Sequence, residues 1–365
     1  MKRALLVATA IALTVSAAEL SVRAAALDER ASSGQVQPGN LWDQDCAVPV
    51  DRIGYALKAG ACGANSQGMH DNELPDPSPE DELRILALGD SITHGRMYTD
   101  YLEDLLGSAL DRPVEVLNAG VPGYAPTNEL EWFRARGAEL EPDLVILQLC
   151  TNDYGFTPFV FRSKGEVVKI VDRSGGLSKR SLAWFEASAL YRYWVYSQLR
   201  IDAGAAPFEQ RALQTDQTIL ELQALAHARG VPLVMFLVPR LAPEAAWPTE
   251  QRKTAARIRQ LAAGHDIPFV DLTEPMLSPD PEPLRRYRSQ QTRENLAEAL
   301  QQLGFPEATR WLQQHPTTRR YFAKTMMGRQ DQDYVHPNFL GHYLMARVLT
   351  DVLMEPSSEL LAAPR

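Results

Sequence analysis

The chain has 365 residues, 45% of them hydrophobic, which is enough apolar material for a sizeable core and too much for a globally disordered protein. A formal net charge of −9 and a pI of about 5.4 set it against nucleic acid and anionic lipid surfaces as partners, and no run of basic residues reverses this. The acidic balance by itself selects no substrate.

The amino terminus has the pattern of an export signal. Lys2 and Arg3 precede an apolar segment from Ala4 to Val15, and small residues follow at Ser16, Ala17 and Ala18. Ala24 to Ala26 form a second set of small residues suited to cleavage. The apolar run is shorter than the roughly 20 residues of a membrane span. A signal over residues 1–26 is therefore expected to be removed, leaving a periplasmic or secreted protein with no stable membrane insertion. Cys46 and Cys62 lie close together in a loop-rich leader over residues 27–81 and can pair once exported. Cys150, in an apolar run, reads as a buried small residue.

From Leu83 onward short apolar runs alternate with longer amphipathic ones. "LRILAL" (Leu83 to Leu88) predicts a strand, and Tyr98 to Leu110 a helix with Tyr101, Leu102, Leu105 and Leu106 on one face. "VEVLN" (Val114 to Asn118) predicts a second strand, followed by a helix near Asn128 to Leu140. "LVILQL" (Leu144 to Leu149) is a third strand. A long helix over Glu209 to Arg229 leads to "VPLVMFLV" (Val231 to Val238), the fourth. Gln251 to Ala263 reads as helix, "PFVDL" (Pro268 to Leu272) as the fifth strand, and Phe339 to Met354 as a closing helix. Strands apolar throughout need cover on both faces, and their alternation with helices implies parallel pairing. The expected fold is a three-layer α/β/α sandwich around a mostly parallel, flavodoxin-like five-stranded sheet, spanning residues 82–355 before a tail at 356–365. Two segments interrupt its rhythm, at about residues 155–206 and 278–331, and read as insertions that shape a pocket. The aromatic stripe Tyr191, Tyr193, Trp194 and Tyr196 in the first reads as core, with a substrate-lid role left open.

In an open parallel sheet, residues just past the carboxyl ends of the strands gather in one crevice. The first strand delivers Gly89-Asp90-Ser91, the second Asn118 to Gly123, and the third Cys150-Thr151-Asn152-Asp153. "DYVHPNFLGH" brings Asp333 and His336 just ahead of the last helix. A serine after Gly-Asp reads locally as a helix cap or as a raised nucleophile, and the turn alone leaves both open.

Together, in this order, the four blocks resemble those of the SGNH, or GDSL-type, hydrolase family, over a core from about Leu83 to Leu349. The segment "NSQGMHDNE" ahead of the first strand is similar, more loosely, to the approach in some exported members. The resemblance implies that Ser91 is the nucleophile, His336 its general base, and Asp333 the group that orients the imidazole. It further implies an oxyanion hole from the backbone N–H groups of Ser91 and Gly123 and the side-chain amide of Asn152. Gly123 is preferred to Gly120 because the family's glycine follows a short "N-A-x-x-x" lead. One departure stands out: where the family places glycine two residues before the asparagine, this chain has Cys150. That change is expected to alter packing more than chemistry.

Other polar residues have plainer readings. Asp90 reads as a hydrogen-bonding residue of the turn, Asp153 as a local cap, and His342 as structural. His94 reads as a satisfied or solvent-facing histidine near the pocket mouth, and nothing assigns His70 a task. No cofactor is implied, because Gly89-Asp90-Ser91 lacks the later glycines and lysine of a phosphate-cradling loop. No metal is implied either, since the histidines lack HExxH and the cysteines lack paired CxxC spacing. The resemblance points to a serine esterase acting on small-molecule or glycan-linked acyl esters through an acyl-enzyme. An O-acyltransferase acting on a glycan with the same triad, and a non-catalytic carbohydrate-binding or assembly protein, are the alternatives.

Overall fold

The computed structural model describes residues 2–28, 46–155 (without 51, 78, 80 and 138), 158–163, 166–171, 184, 187–194, 207–277, 323–325, 332–355 and 359–361. Helix α1 covers Lys2–Ala24. Strands β1 (Ala47–Val50) and β2 (Gly54–Leu57) pair antiparallel. This hairpin lies in the leader that composition alone reads as loop. A Cys46–Cys62 disulfide staples it, so the two leader cysteines do pair.

The body follows as β3 (Leu83–Leu88), α2 (Ser91–His94), α3 (Met97–Leu110), β4 (Val114–Asn118), α4 (Pro126–Trp132) and β5 (Leu144–Cys150). An inserted hairpin, β6 (Pro158–Ser163) with β7 (Glu166–Val171), comes next. The chain continues through α5 (Phe208–His227), β8 (Leu233–Val238), α6 (Thr249–Gly264), β9 (Phe269–Asp271) and α7 (Thr273–Leu277). It ends with β10 (Ala323–Thr325), β11 (Gln332–Pro337) and α8 (Phe339–Leu353). Proline marks three helix starts: Pro126 opens α4, and Pro207 and Pro248 immediately precede α5 and α6. Its fixed φ suits a helix start, and its missing N–H is one the first turn leaves unbonded anyway.

β4, β3, β5, β8 and β9 form one sheet in that order, and every pairing is parallel. Successive side chains alternate between the two faces, and each face meets its own helices. Leu86, Leu88, Val145, Leu147, Met235 and Leu237 join a core with Leu130 and Trp132 of α4, Ile219 and Leu222 of α5, and Ile258 of α6. Ile85, Ala87, Ile146, Val234 and Phe236 pack instead on Tyr98 and Leu102 of α3 and on Leu344, Met345 and Leu349 of α8. The result is the expected α/β/α sandwich.

In the first insertion the expected core stripe is not core where it is described. Tyr193 and Trp194 are 37% and 54% exposed, and Tyr191 stacks on Trp194. Tyr196 lies outside the described residues, as does the second insertion apart from 323–325.

Candidate active site

β3 is buried nearly throughout and runs straight into Gly89-Asp90-Ser91. Two side chains clamp this turn. Asp90 caps α2 by accepting the Ile92 N–H at 2.8 Å, and its own N–H donates to Gln148 Oε1 at 3.2 Å. The same Gln148 oxygen accepts from Thr93 Oγ1 at 3.0 Å. Ser91 is left as the first residue of α2, half-buried, with its hydroxyl 2.7 Å from His336 Nε2.

His336 and Asp333 stand on β11, a strand just ahead of α8. On a regular strand, residues three apart point to opposite faces. Here the register breaks: Lys324 pairs with Asp333 while the preceding Ala323 pairs with Pro337, so residues 334–336 bulge from the ladder. Within the bulge, Asp333 Oδ1 accepts the N–H of Val335 at 2.9 Å and of His336 at 3.3 Å. Its Oδ2 sits 2.5 Å from His336 Nδ1. Burial works to raise the Asp333 pKa, but these backbone bonds and the imidazole offset it and hold the carboxyl below its ordinary range. An ionised Asp333 accepts from Nδ1–H, which leaves Nε2 as the acceptor for the Ser91 hydroxyl. The His336 side chain is 35% exposed, open enough to meet a substrate.

The sheet order β4-β3-β5 puts the Ser91 turn between the loops carrying Gly123 and Asn152. Gly123 has φ of +78°, a left-handed conformation that a side chain would strain. Gly120 is tight for another reason: a Cβ there would fall 2.4 Å from the His94 backbone nitrogen. Asn152 is exposed at the end of β5, and its Oδ1 accepts from the Cys150 thiol, so the amide nitrogen is its remaining polar end. Cys150 is buried as expected, but it is not inert packing. Its thiol also lies 3.3 Å from Asp90 Oδ2, and burial, then Asp153 and Asp90, push its pKa well up.

Several partners here had no sequence signal. Asn118 donates to Thr93 O at 2.7 Å and accepts the Gly120 N–H at 3.0 Å, while Asp71 accepts the Asn118 N–H at 2.9 Å. His70 stacks on His94 with ring centroids 4.3 Å apart, and its Nδ1 meets His94 O at 2.7 Å. Burial, then the neighbouring His70, lowers the His94 pKa to about 4. Beneath the turn, Asp153 Oδ2 accepts the Cys150 N–H at 2.5 Å, as a local cap should. Buried Glu129 has no hydrogen-bond partner for either carboxyl oxygen among the described residues. Burial raises the pKa of Glu129, of Asp153 and of Asp90; Asp153 and Asp90 push Glu129 further up, and Asp90 does the same to Asp153. Ligand atoms of Asp90, Cys150 and Asp153 lie within 4.8 Å of one another, close enough for a metal ion. All three already hydrogen-bond to the turn or to one another.

The Ser91 hydroxyl, the His336 imidazole and the Asp333 carboxylate thus lie in one hydrogen-bonded line at the carboxyl edge of the parallel sheet of an α/β protein. The sequence matches the GDSL-like lipase/acylhydrolase family over residues 87–344, and the chain belongs to that family, which makes it an ester-bond hydrolase. Among solved structures it is similar to an alpha/beta hydrolase from the metagenome of Lake Arreo, with 15% identity, 74% of this chain and 94% of the other covered, and a TM-score of 0.41. A GDSL-like lipase from Bacteroides thetaiotaomicron shows 14% identity over 74% of this chain and 87% of its own, with a TM-score of 0.35. A two-domain esterase active on acetylated mannans shows 15% identity over 74% of this chain and 49% of its own, with a TM-score of 0.37. No curated protein matches the chain in sequence.

Proposed function

We propose that Ser91, His336 and Asp333 are the catalytic triad of a carboxylic-ester hydrolase working through an acyl-enzyme. The observation that carries this reading is the unbroken line from Ser91 Oγ to His336 Nε2 at 2.7 Å and from His336 Nδ1 to Asp333 Oδ2 at 2.5 Å. A serine hydroxyl is a weak nucleophile until a base takes its proton as it attacks. His336 Nε2 takes that proton, and the Asp333 carboxylate stabilises the imidazolium and fixes its tautomer. The carbonyl oxygen, now negative, meets the N–H groups of Ser91 and Gly123 and the Asn152 amide. His336 then protonates the departing alcohol. Water enters, loses its proton to the same nitrogen, and releases the acid from Ser91.

The substrate is a small-molecule or glycan-linked acyl ester, admitted beside the partly exposed His336. An apolar helix behind Lys2 and Arg3, together with the Cys46–Cys62 disulfide, supports export to an oxidising compartment. The reading is tested by Ser91→Ala. Release of p-nitrophenol from a short-chain ester should vanish while the circular dichroism spectrum stays that of the parent. Turnover surviving in the variant would remove the mechanism.

A further inference from the structure

We propose that α1 stays on the mature protein as a membrane anchor and that the segment gripping its end, carrying Trp184, Tyr193 and Trp194, rests on the lipid interface. It is an alternative to the expected cleavage and soluble release, and it stands independently of the triad.

The end of α1 is built into the exported domain. Glu19 accepts from Ser188 Oγ at 2.7 Å, from the Ala189 N–H at 2.9 Å and from the Leu190 N–H at 2.8 Å. These are the opening donors of the helical residues 189–194, which would otherwise have no acceptor within their own helix. Arg23 pairs with Glu19 one turn away and donates to Ala187 O at 2.6 Å. Val22 is buried, and Asp28 pairs with Arg192 at 3.0 Å with both side chains under a tenth exposed. Cleavage after Ala26 would remove Glu19, Val22 and Arg23 and strip the cap from the insertion. Cleavage after Ala18 would divide a continuous helix and leave Glu19, the residue that caps the 189–194 helix, as a new amino terminus.

The rest of α1 has the composition of a membrane span and is left largely uncovered by the described residues. Its membrane-compatible stretch, Leu6–Ala24, has 19 residues, a mean hydropathy of 1.5 and only 6% of its window buried. Ahead of the domain contacts that begin at Glu19, Ala4 to Ala18 gives roughly 22 Å at about 1.5 Å per residue, which Lys2 reaching out to the far headgroups extends toward the ~30 Å hydrocarbon thickness. Leu6, Val7, Ile11, Leu13, Val15 and Leu20 are all more than half exposed. The charged pair Glu19 and Arg23 falls in the last turns, where a spanning helix leaves the bilayer. Trp184 and Trp194 flank the Ala187–Leu190 contact and are 65% and 54% exposed, with Tyr193 at 37%. Tryptophan and tyrosine at that depth suit the headgroup boundary, where an apolar ring meets a wet edge. Lys2 and Arg3 at the opposite end would stay on the cytoplasmic side, which orients the disulfide-bearing domain outward.

The full-length chain, expressed in a Gram-negative host, is fractionated into soluble and carbonate-washed membrane pools, and its amino terminus is read by intact mass. We expect an uncleaved chain in the membrane pool. A soluble chain beginning at Glu19 or Leu27 would overturn the proposal. In a second arm the purified full-length protein is reconstituted in phosphatidylcholine vesicles with brominated acyl chains. Tryptophan quenching should fall to roughly half in the double variant Trp184→Phe, Trp194→Phe, in keeping with rings at the lipid boundary. Unchanged quenching would overturn the contact between this segment and lipid.

Discussion

At the scale of single residues, the consequences of the proposed site separate cleanly. Asp333→Asn keeps an acceptor for the Val335 N–H but turns an N–H toward His336 Nδ1, which forces the wrong tautomer and takes the acceptor at Nε2 away from Ser91. We expect kcat to fall about ten-thousand-fold with the fold intact, by analogy with the equivalent change in serine proteases. Asn152→Ala removes one donor to developing charge, so kcat should drop by roughly a hundred- to a thousandfold with KM little changed. A rise in KM alone would place Asn152 in ground-state binding instead. The Cys150 thiol steadies the Asn152 oxygen, a link invisible in the sequence because it depends on two side chains curling back at the end of β5.

At the scale of elements, the sheet was legible because its strands are runs of apolar residues bounded by Gly, Pro and Asp. Leu83–Leu88 and Val114–Asn118 fall where the periodicity puts them. The strand carrying Asp333 and His336 was not legible. Its register break sets their geometry, and its partner, Ala323–Thr325, comes from a polar stretch with no alternation to read. The leader hairpin was hidden for a similar reason: its strands are only four residues long, carry Pro49 and Gly54, and sit in a stretch of turn formers that looks like loop. The close approach of the Gly120 loop to α2 was equally silent in the sequence, since glycine marks many turns. Gly120→Ala would drive a methyl to 2.4 Å from the His94 nitrogen and 2.6 Å from the Thr93 carbonyl carbon, both backbone atoms. Scanning calorimetry should show a lowered Tm, and ester turnover should fall with it. A variant as stable and active as the parent would mean the loop has room to move.

For the whole molecule, two stability responses follow. The Cys46–Cys62 bridge closes a loop with a sequence separation of 16, for which chain entropy suggests about 3 kcal/mol. Urea unfolding of the Cys46→Ala, Cys62→Ala double variant should show a loss of that order. The second response is to pH. His94 is held neutral in the fold down to about pH 4, whereas the unfolded chain takes up that proton near 6.5. Its contribution is therefore fully present above pH 6.5 and lost progressively as the pH falls toward 4. His94→Gln should flatten the dependence of Tm on pH across that window, and an unchanged slope would show that other groups set it. Fold class was legible through four short blocks in order between Leu83 and Leu349, the same blocks that supply the proposed reacting residues. The attachment of α1 was not, because Glu19 and its partners near residue 188 are far apart in sequence and share no pattern.

The central claim is that Ser91 is the activated nucleophile, and a fluorophosphonate probe tests it directly. We expect intact-mass analysis to show one covalent adduct, mapped to Ser91 by peptide sequencing and lost in His336→Ala. No adduct, or an adduct on another residue with Ser91 unmodified, would contradict it.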